Sequence, residues 1–501
     1  IQQKIPVNQQ VFHAFYIYFC LHHDLWGSIM VFSSLSFIFV FLPIFLVLYY
    51  IFPTKSRNLL LFLGSLVFYS FGEPYYLFLI LCSITVNFLL GRGIERFHGR
   101  KLEQTMLLIL SLIYNFGFLL FFKYTNFFIE NINAALRLLD IHWRFYTLNV
   151  TLPLGISFYT FQIASYVIDV YLGRTKADQS YVSLGAYLCM FPQLIAGPIV
   201  VYSNIRDALK ERTISIHGFD NGLKTFIIGL GYKVIIANRI GTLWNEVCTI
   251  GFESISTPLA WLGAFAYSMQ LYFDFCGYSL MAVGLGEMLG FYMPANFQHP
   301  YMARSVTDFW RRWHITLGAW FREYVYIPLG GNRKGAARTI FNLLVVWFLT
   351  GFWHGAAWNF IFWGIFIFIL QIIEKNITLR WLNADNFIAK LLSHTYMIFY
   401  ILVSWTIFAI SDFQELCVYL EQMFPFIGGK GNFDLSDFTR FALDYAPLLI
   451  ASILFATDYP EKLFDRIRHR FSGVVVAFVI FWWSVYYLAI GINNPFLYFR
   501  Y

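Results

Sequence analysis

The sequence predicts an all-α polytopic membrane protein. Of its 501 residues, 59% are hydrophobic, 21% aromatic and only 13% charged, and the mean hydropathy is +0.60. A water-soluble core has no use for 58 phenylalanines. Only helices and closed barrels satisfy their backbone inside hydrocarbon. The apolar residues here form continuous runs instead of alternating, which selects helices. Basic residues cluster at the ends of the runs, as the positive-inside rule requires. The net charge of +7 is therefore a topological signal, not a sign of nucleic-acid binding. Cys20, Cys82, Cys189, Cys248, Cys276 and Cys417 are scattered, with neither metal-ligand spacing nor a disulfide framework.

Taken in order, residues 1–29 are polar and then carry an apolar run, 14–21, too short to span. They read as an extension outside a membrane domain of residues 30–501. Residues 31–52 form the first span, closed by Pro53, Lys55 and Arg57. Residues 58–71 return, 75–90 cross to Arg92 and Arg96, and 104–122 cross again. A mixed surface segment runs to Val150, and 152–171 cross to Arg174. Residues 182–202 are long enough to span, but Pro192, Gly197 and Pro198 interrupt them and basic residues flank both ends. That pattern predicts a re-entrant segment, tolerated only where protein buries it. Residues 222–238 carry Lys224 and Lys233, which either snorkel or face a polar interior. Residues 258–275 and 278–291 read as two spans, with Asp274 capping the second. Beyond Arg380, 394–410 span and the acidic stretch 411–440 belongs outside. Residues 441–455 return to a basic loop, 462–470, and 474–492 form the last span. The total is roughly ten to twelve crossing or dipping helices.

The chain is organised around residues 304–364, RSVTDFWRRWHITLGAWFREYVYIPLGGNRKGAARTIFNLLVVWFLTGFWHGAAWNFIFWG. Trp310 and His314 stand i, i+4, which on a helix is one face. Asp308, Arg311 and Arg312 lie within a turn of each other. Gly330, Gly331 and Gly335 break any helix in the loop carrying Arg333 and Lys334. From Thr339 to Trp353 the chain is almost wholly apolar. As a helix it rises about 21 Å into a hydrocarbon core about 30 Å thick. His354 is thereby placed at membrane depth, with Gly355 ending the helix. An ionisable residue there is costly and marks function. Imidazole, with an unperturbed pKa of about 6.5, suits general acid–base work. The plain alternative is a histidine that only hydrogen-bonds a neighbouring helix. A second histidine, paired arginines and a glycine-lined turn favour catalysis.

FWRRWHITLGAWFREYVYIPLGGNRKG followed by TGFWHGAAWNFIFWG resembles the membrane-bound O-acyltransferase (MBOAT) family. Within it, the stretch is most similar to the branch of alginate O-acetyltransferase and peptidoglycan O-acetyltransferase A. MVFSSLSFIFVFLPIFLVLYY from Met30, LPLGISFYTFQIASYVIDVY from Leu152, FPQLIAGPI from Phe191 and QLYFDFCGYSLMAVGLGEMLGF from Gln270 extend the likeness over nearly the whole chain. Two positions depart from the branch. Leu280 stands where it usually has an acidic residue, and Cys276 where it has a serine.

The resemblance implies a ring of roughly eleven transmembrane helices, with re-entrant helices around a central tunnel, in a bacterial inner membrane. It implies an O-acetyltransferase that takes acetyl-CoA from the cytoplasm as donor substrate, with no metal. Arg311 and Arg312 would hold the donor's phosphates, with Trp310 and Trp353 beside it. His354 would deprotonate the acceptor hydroxyl, and His314 would orient or stabilise on the cytoplasmic side. A periplasmic transferase of the SGNH hydrolase type would complete O-acetylation of an envelope polysaccharide, peptidoglycan ahead of alginate. Two other readings compete: a transporter or flippase of a lipid-linked sugar, and a D-alanyl transferase of the same fold.

Gly491 and Pro495 stop the final helix, so the tail NNPFLYFRY should leave it extended. From Pro495 onward it reaches about 23 Å, beyond the roughly 15 Å of half a hydrocarbon core. It is similar to the tyrosine-ending tail of the helper protein in teichoic acid D-alanylation. That likeness implies Tyr501 as a transient acetyl acceptor activated by His354; the alternative is an interfacial aromatic belt.

Overall fold

The computed structural model of the protein describes residues 30–195, 197–427 and 432–491. The extension 1–29 and the tail with Tyr501 lie outside the described residues. Among the described residues, all regular structure is helical. Seven helices are long and apolar enough to cross a membrane: Leu77–Arg96, Lys101–Leu138, Ile216–Ile250, Ala336–His354, Trp358–Leu382, Phe387–Ala409 and Phe471–Ala489. Ser436–Asp444 and Ala446–Phe455, bent by 66°, make an eighth if taken as one broken span. The protein is a multi-pass membrane protein. The larger count from sequence includes Arg57–Gly72 and Ile156–Tyr171, of 16 residues each, which rise only about 24 Å.

The polarity is that of a protein dissolved in lipid. Phe78, Ile113 and Phe478 point outward, while polar side chains turn in and bond across helices. Asn87, Ser111 and Asn115 form one buried cluster: Ser111 Oγ donates to Asn87 Oδ1 at 2.7 Å, and Asn87 Nδ2 to Asn115 Oδ1 at 2.9 Å. This clamps Leu77–Arg96 against Lys101–Leu138.

Residues 258–291 are not two spans. Thr257–Met288 is a single helix of 32 residues, almost wholly buried. Gly277, in the gap expected between two spans, instead marks a close approach. It lies against Gly229 of the helix Ile216–Gly231, and a Cβ on either would collide with the other's carbonyl oxygen. Asp274 is accordingly not a cap. It sits mid-helix and forms a buried ion pair with Lys233, which stands in a π-helical turn, Tyr232–Ala237. Lys224 also faces inward: its Nζ donates to Asp220 Oδ2 and to the Arg468 carbonyl, each at 2.7 Å. Both lysines thus take the interior alternative to snorkelling.

The interrupted segment breaks and folds back on itself. Tyr181–Cys189 ends at Met190, Phe191–Leu194 makes one turn, and Tyr202–Lys210 follows. Its two ends meet: the Tyr202 hydroxyl donates to Asp178 Oδ2 at 2.8 Å, and Arg206 Nη1 to Thr175 Oγ1 at 3.3 Å. Met190, Phe191, Leu194 and Val200 at the break are fully buried, as irregular backbone at this depth requires.

Two apolar cores share Thr257–Met288. Tyr278 to Met288 pack with the N-terminal third of the chain, and Leu259 to Cys276 with residues 303–313 and 347–423. The two histidines lie on the seam between these cores.

Candidate active site

Ala336–His354 and Trp358–Ile373 form a tight hairpin. They can pack this closely because Gly351 lies on the Phe360 carbonyl and Gly364 on the Trp347 carbonyl, with no room for a Cβ. The hairpin buries His354 at the end of its first helix, where Gly355 takes extended backbone. The His354 ring is walled by Trp353 at 5.0 Å, Trp363 at 5.1 Å and Phe408 at 5.2 Å. Trp353 belongs to the first core, Trp363 and Phe408 to the second.

A helix ends with unpaired carbonyls that buried chain must satisfy. Lys123, from the helix Lys101–Leu138, supplies the donors: its Nζ reaches the Trp353 carbonyl at 2.7 Å and the His354 carbonyl at 2.8 Å. The cation also complements the negative end of the helix dipole. A cavity of about 230 Å³ opens beside it, lined by Lys123, Thr125, Asn126 and Ala356 among others. The span expected from sequence, 104–122, stops one residue short of Lys123. Its signal was a lone cation inside FFKYTNFF.

His314 corrects a second expectation. Trp310 and His314 do not share a helix, because Val306–Arg312 stops at Trp313, which is extended. His314 adopts left-handed backbone, φ +45°, and begins Ile315–Phe321. Such a conformation is strained for a residue other than glycine and persists only where its surroundings hold it. Asn296 does so, through its backbone carbonyl on Ile315 N at 2.9 Å and its side chain on His314 Nδ1 at 3.1 Å. The Thr316 N–H, which can only donate, fixes that side-chain atom as oxygen, at 3.2 Å. Nδ1 of His314 is therefore the N–H, and Nε2 carries the lone pair of the neutral ring. Nε2 is buried and has no hydrogen-bond partner among the described residues. Thr316 Oγ1 accepts from Ile199 N at 3.0 Å, tying the interrupted segment to this loop. Asn296, in MPANFQHPY, left no recognisable signal in the sequence.

Trp353 joins the two imidazoles, 6.1 Å from the His314 ring and adjacent to His354. Phe275 meets the His314 ring edge-on at 4.8 Å. The structure thus brings His314, His354 and Trp353 together. It sets Trp310 in a tryptophan cluster, 4.9 Å from Trp347 and 5.4 Å from Trp363, its Nε1 donating to the Tyr400 hydroxyl at 2.9 Å. Arg312 is engaged by Asp308 at 3.0 Å, whereas Arg311 is exposed. Two buried imidazoles in an aromatic wall, one with a free lone pair, are suited to taking a proton where water is excluded.

The sequence profile of the MBOAT, or membrane-bound O-acyltransferase, family matches residues 174–413. The probable alginate O-acetylase AlgI of Azotobacter vinelandii is 38% identical over 430 residues, covering 85% of this chain and 84% of that protein. The peptidoglycan O-acetyltransferase of Helicobacter pylori is 35% identical over 432 residues, covering 79% and 80%. The teichoic acid D-alanyltransferase of Bacillus subtilis is 31% identical over a shorter stretch of 251 residues, 46% of this chain and 62% of that protein. With its helical membrane fold, its match to the family profile and relatives that match it over most of their length, the chain belongs to the membrane-bound O-acyltransferase family and is an acyltransferase.

Proposed function

We propose that the protein is an O-acetyltransferase of the bacterial inner membrane, moving acetyl groups from cytoplasmic acetyl-CoA toward a cell-envelope polysaccharide. The observation that carries this reading is the pair of buried histidines on either side of Trp353. His354 takes the proton of the acceptor hydroxyl as its oxygen attacks the thioester carbonyl. The C–S bond then breaks and the leaving thiolate takes a proton. His314, locked through Nδ1 by Asn296, orients or stabilises on the cytoplasmic side. Exposed Arg311 contacts the donor's phosphates; Arg312, held by Asp308, supports it. A periplasmic transferase of the SGNH type receives the acetyl group, with Tyr501 as its transient carrier.

Acetyl-CoA consumption by the purified protein in proteoliposomes tests the donor. Turnover in the wild type and none in His354→Ala at equal membrane abundance is the expected result; thioester-independent sugar transport would reject it. Wild-type acetylation in a Tyr501→Phe strain would remove the carrier role alone. Mass spectrometry of muropeptides and of secreted uronate polymer from a deletion strain separates the two polysaccharides, which relatives at 35% and 38% identity do not.

A further inference from the structure

A second cavity, of about 1160 Å³, lies between Ile216–Ile250, Thr257–Met288, Ala446–Phe455 and Phe471–Ala489, and neither His314 nor His354 lines it. Its volume exceeds the roughly 300–1,000 Å³ of ordinary small-molecule sites. Ile228, Ile235, Leu280, Leu448, Ala451 and Ile480 make its middle apolar. Its walls are these membrane helices together with the short helix Tyr459–Ile467 and the loop at residues 295–299. Acyl chains fit.

The two ends of the cavity differ. At one, the charges are engaged: His299 Nε2 meets Glu461 Oε2 at 2.6 Å, and Arg468 bonds the Asn221 carbonyl at 2.9 Å. At the other, Arg239 and Glu246 lie two turns apart on one helix, and Arg440 and Asp444 one turn apart on another. Tyr445 ties the two helices, bonding Glu246 Oε1 at 2.8 Å and Thr242 Oγ1 at 2.9 Å. Arg239 rests on the Tyr487 ring at 4.9 Å, and its Nη1 donates to the Tyr487 hydroxyl at 2.8 Å. Among the described residues, none of these four charged side chains forms an ion pair. Two guanidiniums and two carboxylates at the mouth of an acyl-sized cavity match a headgroup bearing one phosphate and one ammonium.

We propose that this cavity binds a zwitterionic aminophospholipid. Its acyl chains lie between the helices, its phosphate on Arg239 and Arg440, and its primary ammonium on Glu246 and Asp444. The deep wall carries Phe297, 5.0 Å from Phe275, whose ring meets His314. Two aromatic rings, Phe297 and Phe275, thus separate the cavity from His314.

The test equilibrates the purified protein with liposomes of equal parts phosphatidylethanolamine, phosphatidylglycerol and phosphatidylcholine with matched chains. The protein is then repurified in mild detergent and its retained lipids are counted by mass spectrometry. Phosphatidylethanolamine should exceed each of the others by about tenfold, the worth of a charge-assisted hydrogen bond. Glu246→Gln with Asp444→Asn should erase its lead over phosphatidylglycerol. Arg239→Gln with Arg440→Gln should lower retention of both. Ala451→Trp, which narrows the apolar middle, should lower retention of all three while helicity by circular dichroism stays unchanged. Equal retention of the three lipids by the wild type overturns the proposal. So does retention indifferent to Ala451→Trp, or a co-purifying single-span peptide whose crosslinks map to the cavity in place of lipid.

Discussion

The ammonium of Lys123 donates to the backbone carbonyl of His354 at 2.8 Å, across 231 positions of sequence. It thereby caps the helix that carries this histidine and fixes where the helix stops. The imidazole hangs from the last residue of that helix, so its position depends on a cation from a different span.

Replacing Lys123 by methionine keeps the length of the side chain and leaves two carbonyls without their donor. Hydrogen bonds to a charged group are worth about 1.5–3 kcal/mol, so acetyl transfer should fall by roughly tenfold to a hundredfold. Lys123→Arg should recover part of the loss. Initial rates in proteoliposomes at matched protein content check this; an unimpaired Lys123→Met protein would show that the helix end positions itself.

Asn296 fixes the tautomer of His314. Asn296→Leu removes the acceptor that holds Nδ1–H and leaves the Thr316 N–H unsatisfied, whereas Asn296→Asp keeps an acceptor in place. We expect kcat to fall by at least about tenfold in the leucine variant with KM for the donor nearly unchanged. The aspartate variant should be milder. A loss confined to KM would instead assign Asn296 to donor binding.

The Lys233–Asp274 pair is a stability device with a sharp signature. Removing one partner strands a buried charge, at a cost of about 3–5 kcal/mol. Asp274→Leu alone should therefore lower the unfolding temperature strongly, and Lys233→Met in the same chain should restore most of it. Thermal unfolding in detergent measures both. If the double variant is as unstable as the single one, the pair holds more than its own charges.

Sidedness can be checked independently of chemistry. Arg333 is exposed in the loop before Ala336–His354 and should face the cytoplasm by the positive-inside rule. Arg333→Cys should resist an impermeant thiol reagent in intact cells and react in inverted vesicles. Labelling from outside would reverse the orientation and the route assigned to acetyl-CoA.

Composition and local pattern determined much of this protein. Continuous apolar runs, in place of alternating ones, made it helical and membrane-embedded, because hydrocarbon admits few other backbones. The run ending in TGFWH put His354 at the end of an apolar helix long enough to cross a membrane. Pro192, Gly197 and Pro198 between flanking charges announced the break, since a proline and glycine pattern acts on its own few residues. The lone Lys123 was legible in principle, as a charge inside an apolar run. What only the tertiary structure decided were the meetings between distant residues. Two spans looked separated at residues 276–277, but the role of Gly277 was set by Gly229 of another helix, and close packing there kept Thr257–Met288 continuous. Asp274 became an ion-pair partner and not a cap because Lys233 stands opposite it. Trp310 and His314 separated, although their spacing fits one helix, because Asn296 holds His314 in left-handed backbone. Periodicity reports which residues can share a face. A hydrogen bond or charge pair across the bilayer interior, where no water competes, decides which of them do.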